Sequence, residues 1–340
     1  MFNNGFLINT STNKKYNSLD LFKFFMAICV IAIHTNPLQN CTNRIITIIY
    51  DAIVPMAVPF FFLASGFLMA NKFDDLFSSK HNEEVVKKTL LHIIKLYVLW
   101  TVVYLPMTIF NFCHGGGLSF SNFVVFMRGF IFIGEQYNSW QLWYLLSTIY
   151  ALILVWILIK LKTNIEILLV NGVVFLFIGI FVTWLVSYDG ELSHVFQLIK
   201  IILSKTIVIG RIFYGLFYIP LGIFLQKKRM PKILNMIVFI FAFSLNQIIH
   251  SNCFNTLLLA ITSMCLFCLI LEMNLKDNKI FPLLRKMSTI IYLIHMYIWA
   301  IYYMVVYHTK TFGLDSFVFT TLISIFISFI YCEFGNCKKL

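Results

Sequence analysis

Apolar stretches of about twenty residues recur along the whole chain, and that recurrence confines it to a helical membrane fold. In hydrocarbon every backbone N–H and C=O must be satisfied within the segment, so a stretch of ~20 apolar residues spans as a helix. Ten stretches qualify: 19–36, 45–70, 88–112, 140–160, 165–187, 207–225, 233–250, 254–271, 288–307 and 314–331. Two weaker ones, 119–134 and 194–205, suit interfacial or re-entrant pieces, so eleven or twelve crossings stay open. Only 12% of the 340 residues are charged, against ~25% in soluble domains. No internal repeat or Gly/Ser linker divides the chain. The longest loop, 113–139, with Gly115, Gly116 and Gly117, reads as a loop or partial lid.

The net charge of +12 raises the question of nucleic acid, but the basic residues sit in short segments between apolar runs, as membrane sorting requires. Place the N-terminus in the cytoplasm. Eighteen Lys and Arg then fall in cytoplasmic segments, among them Lys14, Lys15, Lys72, Lys80, Arg285, Lys286, Lys338 and Lys339. Five, Arg44, Arg128, Lys200, Lys205 and Lys310, fall outside. The alternation holds loop by loop, and a miscounted helix would break it. The fold class is therefore an all-α polytopic membrane protein of about ten transmembrane helices, with both termini cytoplasmic. Its partner is the lipid bilayer, with no nucleic acid. Residues 1–18 read as an N-terminal tail, 19–333 as one transmembrane domain and 334–340 as a cytoplasmic tail. The segment before Leu19 is polar and no small-residue cleavage site follows the first apolar run, so that run reads as a retained helix rather than a signal peptide.

Ionisable groups inside a span are costly and need a partner or a task. The first run holds three: Asp20, Lys23 and His34. Eleven residues separate Lys23 from His34, almost three whole turns, so they share a face some ~16 Å apart. Asp20 and Lys23 stand at i,i+3 and can pair. Imidazole titrates near neutral pH and suits general-base work; a snorkelling Lys with an interfacial His is the bland alternative. Arg211, opening the sixth span, suits a substrate carboxylate or an outer headgroup. Tyr292 and His295, three apart, line a cavity or bridge helices. Trp140, Trp143 and Tyr144 fit an aromatic belt or substrate contact. Ser65-Gly66 fits close helix packing, and Pro55 and Pro59 should kink the second span. No His or carboxylate pair stands at ligand spacing, so no metal is expected; His250 and the remaining His lie mostly in loops or near helix ends. A disulfide among Cys41, Cys113 and Cys253 stays open.

Ser18-Leu19-Asp20-Leu21-Phe22-Lys23, then ten residues, then His34, resembles the Arg/Lys-x10-His signature of membrane acyltransferase family 3. The run from Val58 and Pro59 through Phe60, Phe61 and Phe62 to Ser65 and Gly66 is similar to that family's second conserved helix. Trp143-Tyr144-Leu145 and Ile291-Tyr292-Leu293-Ile294-His295 resemble its later motifs. Departures are present: Lys23 replaces the commoner Arg, which is not equivalent for binding a phosphate or carboxylate, and no Arg-x-Arg pair follows the second helix. A finer likeness joins Ala32-Ile33-His34-Thr35-Asn36-Pro37-Leu38 and the segment from Arg211 to Pro220 to the membrane part of VanT-type serine racemases of vancomycin-resistance clusters.

The finer resemblance implies an integral subunit of a bacterial plasma membrane, supplying L-serine to a separate pyridoxal-phosphate serine racemase for D-serine cell-wall precursors in glycopeptide resistance. The family resemblance implies an alternative: an O-acyltransferase that takes its acyl group from acetyl-CoA and modifies a surface glycan or wall component, with no tightly bound cofactor. Both place Asp20, Lys23 and His34 in the reactive stripe. Both leave Arg211, Trp143, Tyr144, Tyr292 and His295 as contacts to a small-molecule substrate.

Overall fold

The computed structural model describes residues 15–114, 117, 119–207, 210–249 and 252–334, so Lys14, Gly115, Gly116, His250, Lys338 and Lys339 lie outside the described residues. The described chain is helical, with no strands. In order come α1 (Asn17–Thr35), α2 (Arg44–Ile53), α3 (Ala57–Ala70), α4 (Lys80–His114), α5 (Phe120–Arg128), α6 (Trp143–Lys160), α7 (Ile165–Ser187), α8 (His194–Thr206), α9 (Ile212–Lys227), α10 (Lys232–Ile248), α11 (Asn252–Leu271), α12 (Ile280–Tyr302) and α13 (Leu314–Phe334). A 3-10 turn, Val54–Met56, joins α2 to α3. It is the interruption that Pro55 imposes by removing a backbone donor.

Among the described residues, eight helices are long and apolar enough to cross a membrane. The other two expected crossings are α9 and α10, of 16 and 17 residues. At 1.5 Å per residue α9 is about 24 Å long, a little under the ~30 Å hydrocarbon core. The two weaker stretches are short helices, α5 and α8, and α8 buries none of its residues.

Local chemistry sets the ends. Asn43 starts α2 by accepting from the N–H groups of Ile45 and Ile46, and Asn164 starts α7 by accepting from Ile167 N–H at 2.9 Å. These side chains satisfy donors that a helix start leaves free. Asn36 closes α1 in the left-handed conformation, φ 42°, which an Asn tolerates better than most residues. One expected boundary shifts: the span read as 288–307 begins at Ile280. Arg285 and Lys286, counted as loop charges, therefore belong to the first turns of α12. Arg285 is tolerated there because a carboxylate on α1 faces it. Cys41, Cys113 and Cys253 are free thiols.

Two helix contacts organise the interior. α3 packs on α9 through two glycines: a Cβ on Gly66 would run into the Ile219 carbonyl, and one on Gly222 into the Leu63 carbonyl. α1 packs on α12, burying Ala27 and Ile31 against Met287 and Ile291. Ahead of α1, Lys15 and Asn17 both hold Asp277 in the segment before α12, at 2.9 and 2.8 Å. The Lys15 ammonium and the Asn17 amide hold the Asp277 carboxyl below the usual carboxylate range. A depressed carboxyl stabilises only while ionised, so this tether weakens as pH falls through that range.

Gly66→Leu should lower stability by at least ~3 kcal/mol, the upper range for over-packing, because the opposing atoms are backbone and cannot rotate away. Thermal unfolding in detergent reads it; an unchanged midpoint contradicts the close α3–α9 approach.

Candidate functional site

The site is built where α1, α6 and α12 meet. His34, on the last turn of α1, sets its ring 5.4 Å from that of His295 and 5.9 Å from that of Trp140. His295 is fully buried. Its Nδ1 lies 3.1 Å from the Ile291 carbonyl. A carbonyl only accepts, so Nδ1 carries the proton and Nε2 is left as an acceptor. Nε2 is buried and has no partner. His34 is half-buried, so a molecule can still reach this imidazole pair.

Below the pair, rings continue toward the Asp20 end of the bundle. Tyr292 lies 6.2 Å from His295, and Tyr144 lies 5.5 Å from Tyr292. Gln141 locks this stack: its backbone carbonyl accepts from the Tyr292 hydroxyl, while its side-chain amide donates to the Tyr104 hydroxyl at 2.8 Å and the Leu293 carbonyl at 3.2 Å. The Tyr144 hydroxyl meets the Ser65 hydroxyl at 2.9 Å.

Ser65 and Tyr144 form the inner end of a cavity of about 730 Å³ that opens at the Asp20 end. Lys15, Lys72 and Arg285 line it together with Asp20 and Gln226. Its walls come from α1, α3, α4, α6, α9 and α12, so the cavity runs up the middle of the bundle. A basic mouth leading to an apolar, hydroxyl-tipped end suits a phosphate-bearing molecule with a long neutral arm.

The expected partner of Asp20 changes. Asp20 pairs with Arg285, whose Nε and terminal nitrogen each donate to one carboxylate oxygen at 2.7 Å, and not with Lys23. A guanidinium offers two parallel bonds where an ammonium offers one point of charge. Among the described residues Lys23 has no hydrogen bond or ion pair. Arg211 also has a carboxylate already: it bonds Glu135 and stacks on the Trp143 ring at 5.1 Å. A substrate carboxylate would have to displace Glu135. Trp140 and Trp143 are not an interfacial belt. Trp143 is buried, and Trp140 packs between His34 and Trp299, with the Lys310 ammonium 4.8 Å above its ring.

The structure thus brings His34, His295, Tyr292 and Tyr144 together, puts Asp20 at the basic cavity and holds Arg211 on the Trp143 ring, which packs on Phe62 next to Tyr144. Sequence reasoning missed Gln141, Arg285 and Glu135. Each left a signal: a Gln next to a long apolar run, an Arg near a span that needs a carboxylate, and the one acid in the stretch 113–139.

Residues 16–333 match the family model described as an acyltransferase domain, so this multi-pass membrane chain belongs to the acyltransferase 3 family. Among curated proteins it is similar to two amino-acid racemases of Enterococcus faecalis. One is 34% identical over 145 residues, 42% of this chain and 20% of the relative; the other is 30% identical over 149 residues, 44% and 19%. The chain thus matches about a fifth of the length of these relatives. No solved structure matches it.

Asp20→Ala leaves the Arg285 guanidinium without its carboxylate and should cost about 2 kcal/mol. Arg285 is half-exposed, so adding Arg285→Leu should cost less than Arg285→Leu does alone, because both bonds of the fork are already gone. Thermal unfolding of the two single variants and the double variant checks this, and additive losses contradict the pairing.

Proposed function

We propose that this protein is a membrane O-acyltransferase that takes an acyl group from a coenzyme A thioester at the Asp20 end and passes it to a hydroxyl at the His34 end. The observation that carries the reading is the alignment of the basic cavity, its Ser65–Tyr144 tip, the Tyr292 ring and the His34–His295 pair along one path through the bundle. Lys72 suits the donor's phosphates, while Lys15 and Arg285 reach them only by sharing with Asp277 and Asp20. The acceptor hydroxyl loses its proton to His34 as its oxygen attacks the thioester carbon. The C–S bond breaks, and His34 returns the proton to the departing thiolate. His295 acts beside it, its bare Nε2 accepting a hydrogen bond from the acceptor or from His34. Acetyl-CoA is the simplest donor, and a cell-surface glycan or wall component is the acceptor class. With the positive-inside bias, the Asp20 end faces the cytoplasm of a bacterial cell, where acyl-CoA is made.

In proteoliposomes, His34→Ala should lower acetyl-CoA turnover by 10² to 10⁴-fold, the range for a lost general base. Lys72→Glu should raise KM for acetyl-CoA several-fold and leave kcat nearly unchanged. Full activity in His34→Ala contradicts the mechanism.

A second reading is favoured by the name of the two relatives, amino-acid racemase. In it the chain supplies L-serine to a separate pyridoxal-phosphate racemase for glycopeptide-resistant wall precursors. Oriented vesicles carrying the protein should then take up labelled L-serine, and His34→Ala should reduce the uptake. Uptake equal to that of empty vesicles sinks this reading for the isolated chain.

A further inference from the structure

A second cavity, of about 550 Å³, opens at the His34 end of the bundle, with Trp184, Ser187 and Asp189 in its wall. The positive-inside bias places that end outside the cell. Next to it lies a small chamber of about 150 Å³, enclosed by α3, α6, α9 and α11. The two are continuous in their walls, because Pro55, Thr256 and Leu259 line both. Phe62 is part of the chamber lining, and its ring packs 4.4 Å from that of Tyr144, which lines the basic cavity. Along α9 the same boundary falls between neighbours: Tyr218 lines the chamber and Ile219 the basic cavity. One layer of rings, Tyr144, Phe62 and Tyr218, therefore separates openings that face opposite ends of the bundle.

The helices that carry this layer are interrupted beside it. Pro55 and Pro59 precede Phe62, and Pro220 sits inside α9 just after Tyr218. Each proline removes a backbone donor, and helices bend at such points. The chamber is also polar for the interior of a membrane bundle. Arg211 lines it and holds Glu135 in an ion pair. Tyr218 is buried, and its hydroxyl makes no hydrogen bond among the described residues.

A lone carboxylate entering here would strand Glu135, and a lone ammonium would strand Arg211. Either leaves a largely buried charge without a partner, which is costly. A molecule with both groups exchanges with the pair and strands neither. At ~30 Å³ per water the chamber holds about five, so it admits a molecule of a few heavy atoms. The Tyr218 hydroxyl offers one more hydrogen bond.

We propose that a second path crosses the bundle, from the outer cavity through the chamber to the basic cavity, and that it carries a small zwitterion with Phe62 as its gate. The path leaves the basic cavity at Tyr144, away from the His34 pair. It rests on the second reading above, supply of an amino acid, and gives that reading a route and a size limit.

The test uses the full-length protein in oriented proteoliposomes, with Val58→Cys in the chamber or Ser65→Cys in the basic cavity. A membrane-impermeant thiol reagent is added on one side, and peptide mass spectrometry reads each position. Val58→Cys should label from the outer side. L-serine should slow that labelling at least ~5-fold, the protection expected when most chambers are filled. Acetate and methylamine, each with one of the two charges, should not. Arg211→Ala should abolish the protection. Ser65→Cys should label from the inner side alone. Adding Phe62→Ala, or Phe62→Val as the milder truncation, should open it to the outer side while helical circular dichroism is kept. The proposal is overturned if Val58→Cys stays unlabelled from outside, if acetate or methylamine protects as well as L-serine, or if position 65 stays closed in both Phe62 variants. Uptake of labelled L-serine on the same vesicles separates the claims. Uptake that Arg211→Ala and the Phe62 variants leave unchanged overturns the path and leaves the second reading standing; no uptake by the parent protein overturns both.

Discussion

The contact between α1 and α12 is the constraint on which the site depends. The two helices run side by side in the same direction, joined at one end by the Asp20–Arg285 fork and at the other by the His34–His295 rings. The two pairs are fourteen positions apart on α1 and ten on α12, rises of about 21 and 15 Å. Apolar contacts of Ala27 and Ile31 with Met287 and Ile291 fill the middle. A rigid seam of this kind fixes two imidazoles against each other more firmly than loops could.

Around the seam the other helices divide the labour. The close approach of α3 to α9 brings Ser65 inward to meet Tyr144 on α6. Gln141, at the start of α6, fastens α4 and α12 through Tyr104, Tyr292 and the Leu293 carbonyl. The result is one ordered core of hydroxyls and rings with a basic cavity on one side and the half-buried His34 on the other. That division suits the transfer proposed above, with the donor at the basic cavity and the acceptor at His34.

Much of the architecture was legible in the sequence because a bilayer imposes length and polarity on each crossing. The apolar runs located the helices, and Pro55 marked the break between α2 and α3. The run 288–307 was placed too late, since hydropathy penalises Arg285 and Lys286 while structure neutralises Arg285 with Asp20, 265 positions earlier. The candidate residues were partly legible too. Helical spacing put Tyr292 and His295 on one face, and their packing agrees. Spacing within one helix also suggested Asp20 with Lys23, and there it misled, because pairing across helices is invisible to a periodicity argument. Arg211 was left open to a substrate carboxylate or an outer headgroup for the same reason: Glu135 lies in a stretch whose fold the sequence did not disclose.

The central claim is that one path joins the basic cavity to the imidazole pair. Photo-crosslinking with a coenzyme A analogue that carries its reactive group at the thioester position tests it most directly. The account predicts label on peptides containing Ser65, Tyr144 or Tyr292, and competition by acetyl-CoA. Label confined to the separate cavity lined by Asp51, Trp184 and Asn255, or label on the central peptides that acetyl-CoA does not displace, would contradict it.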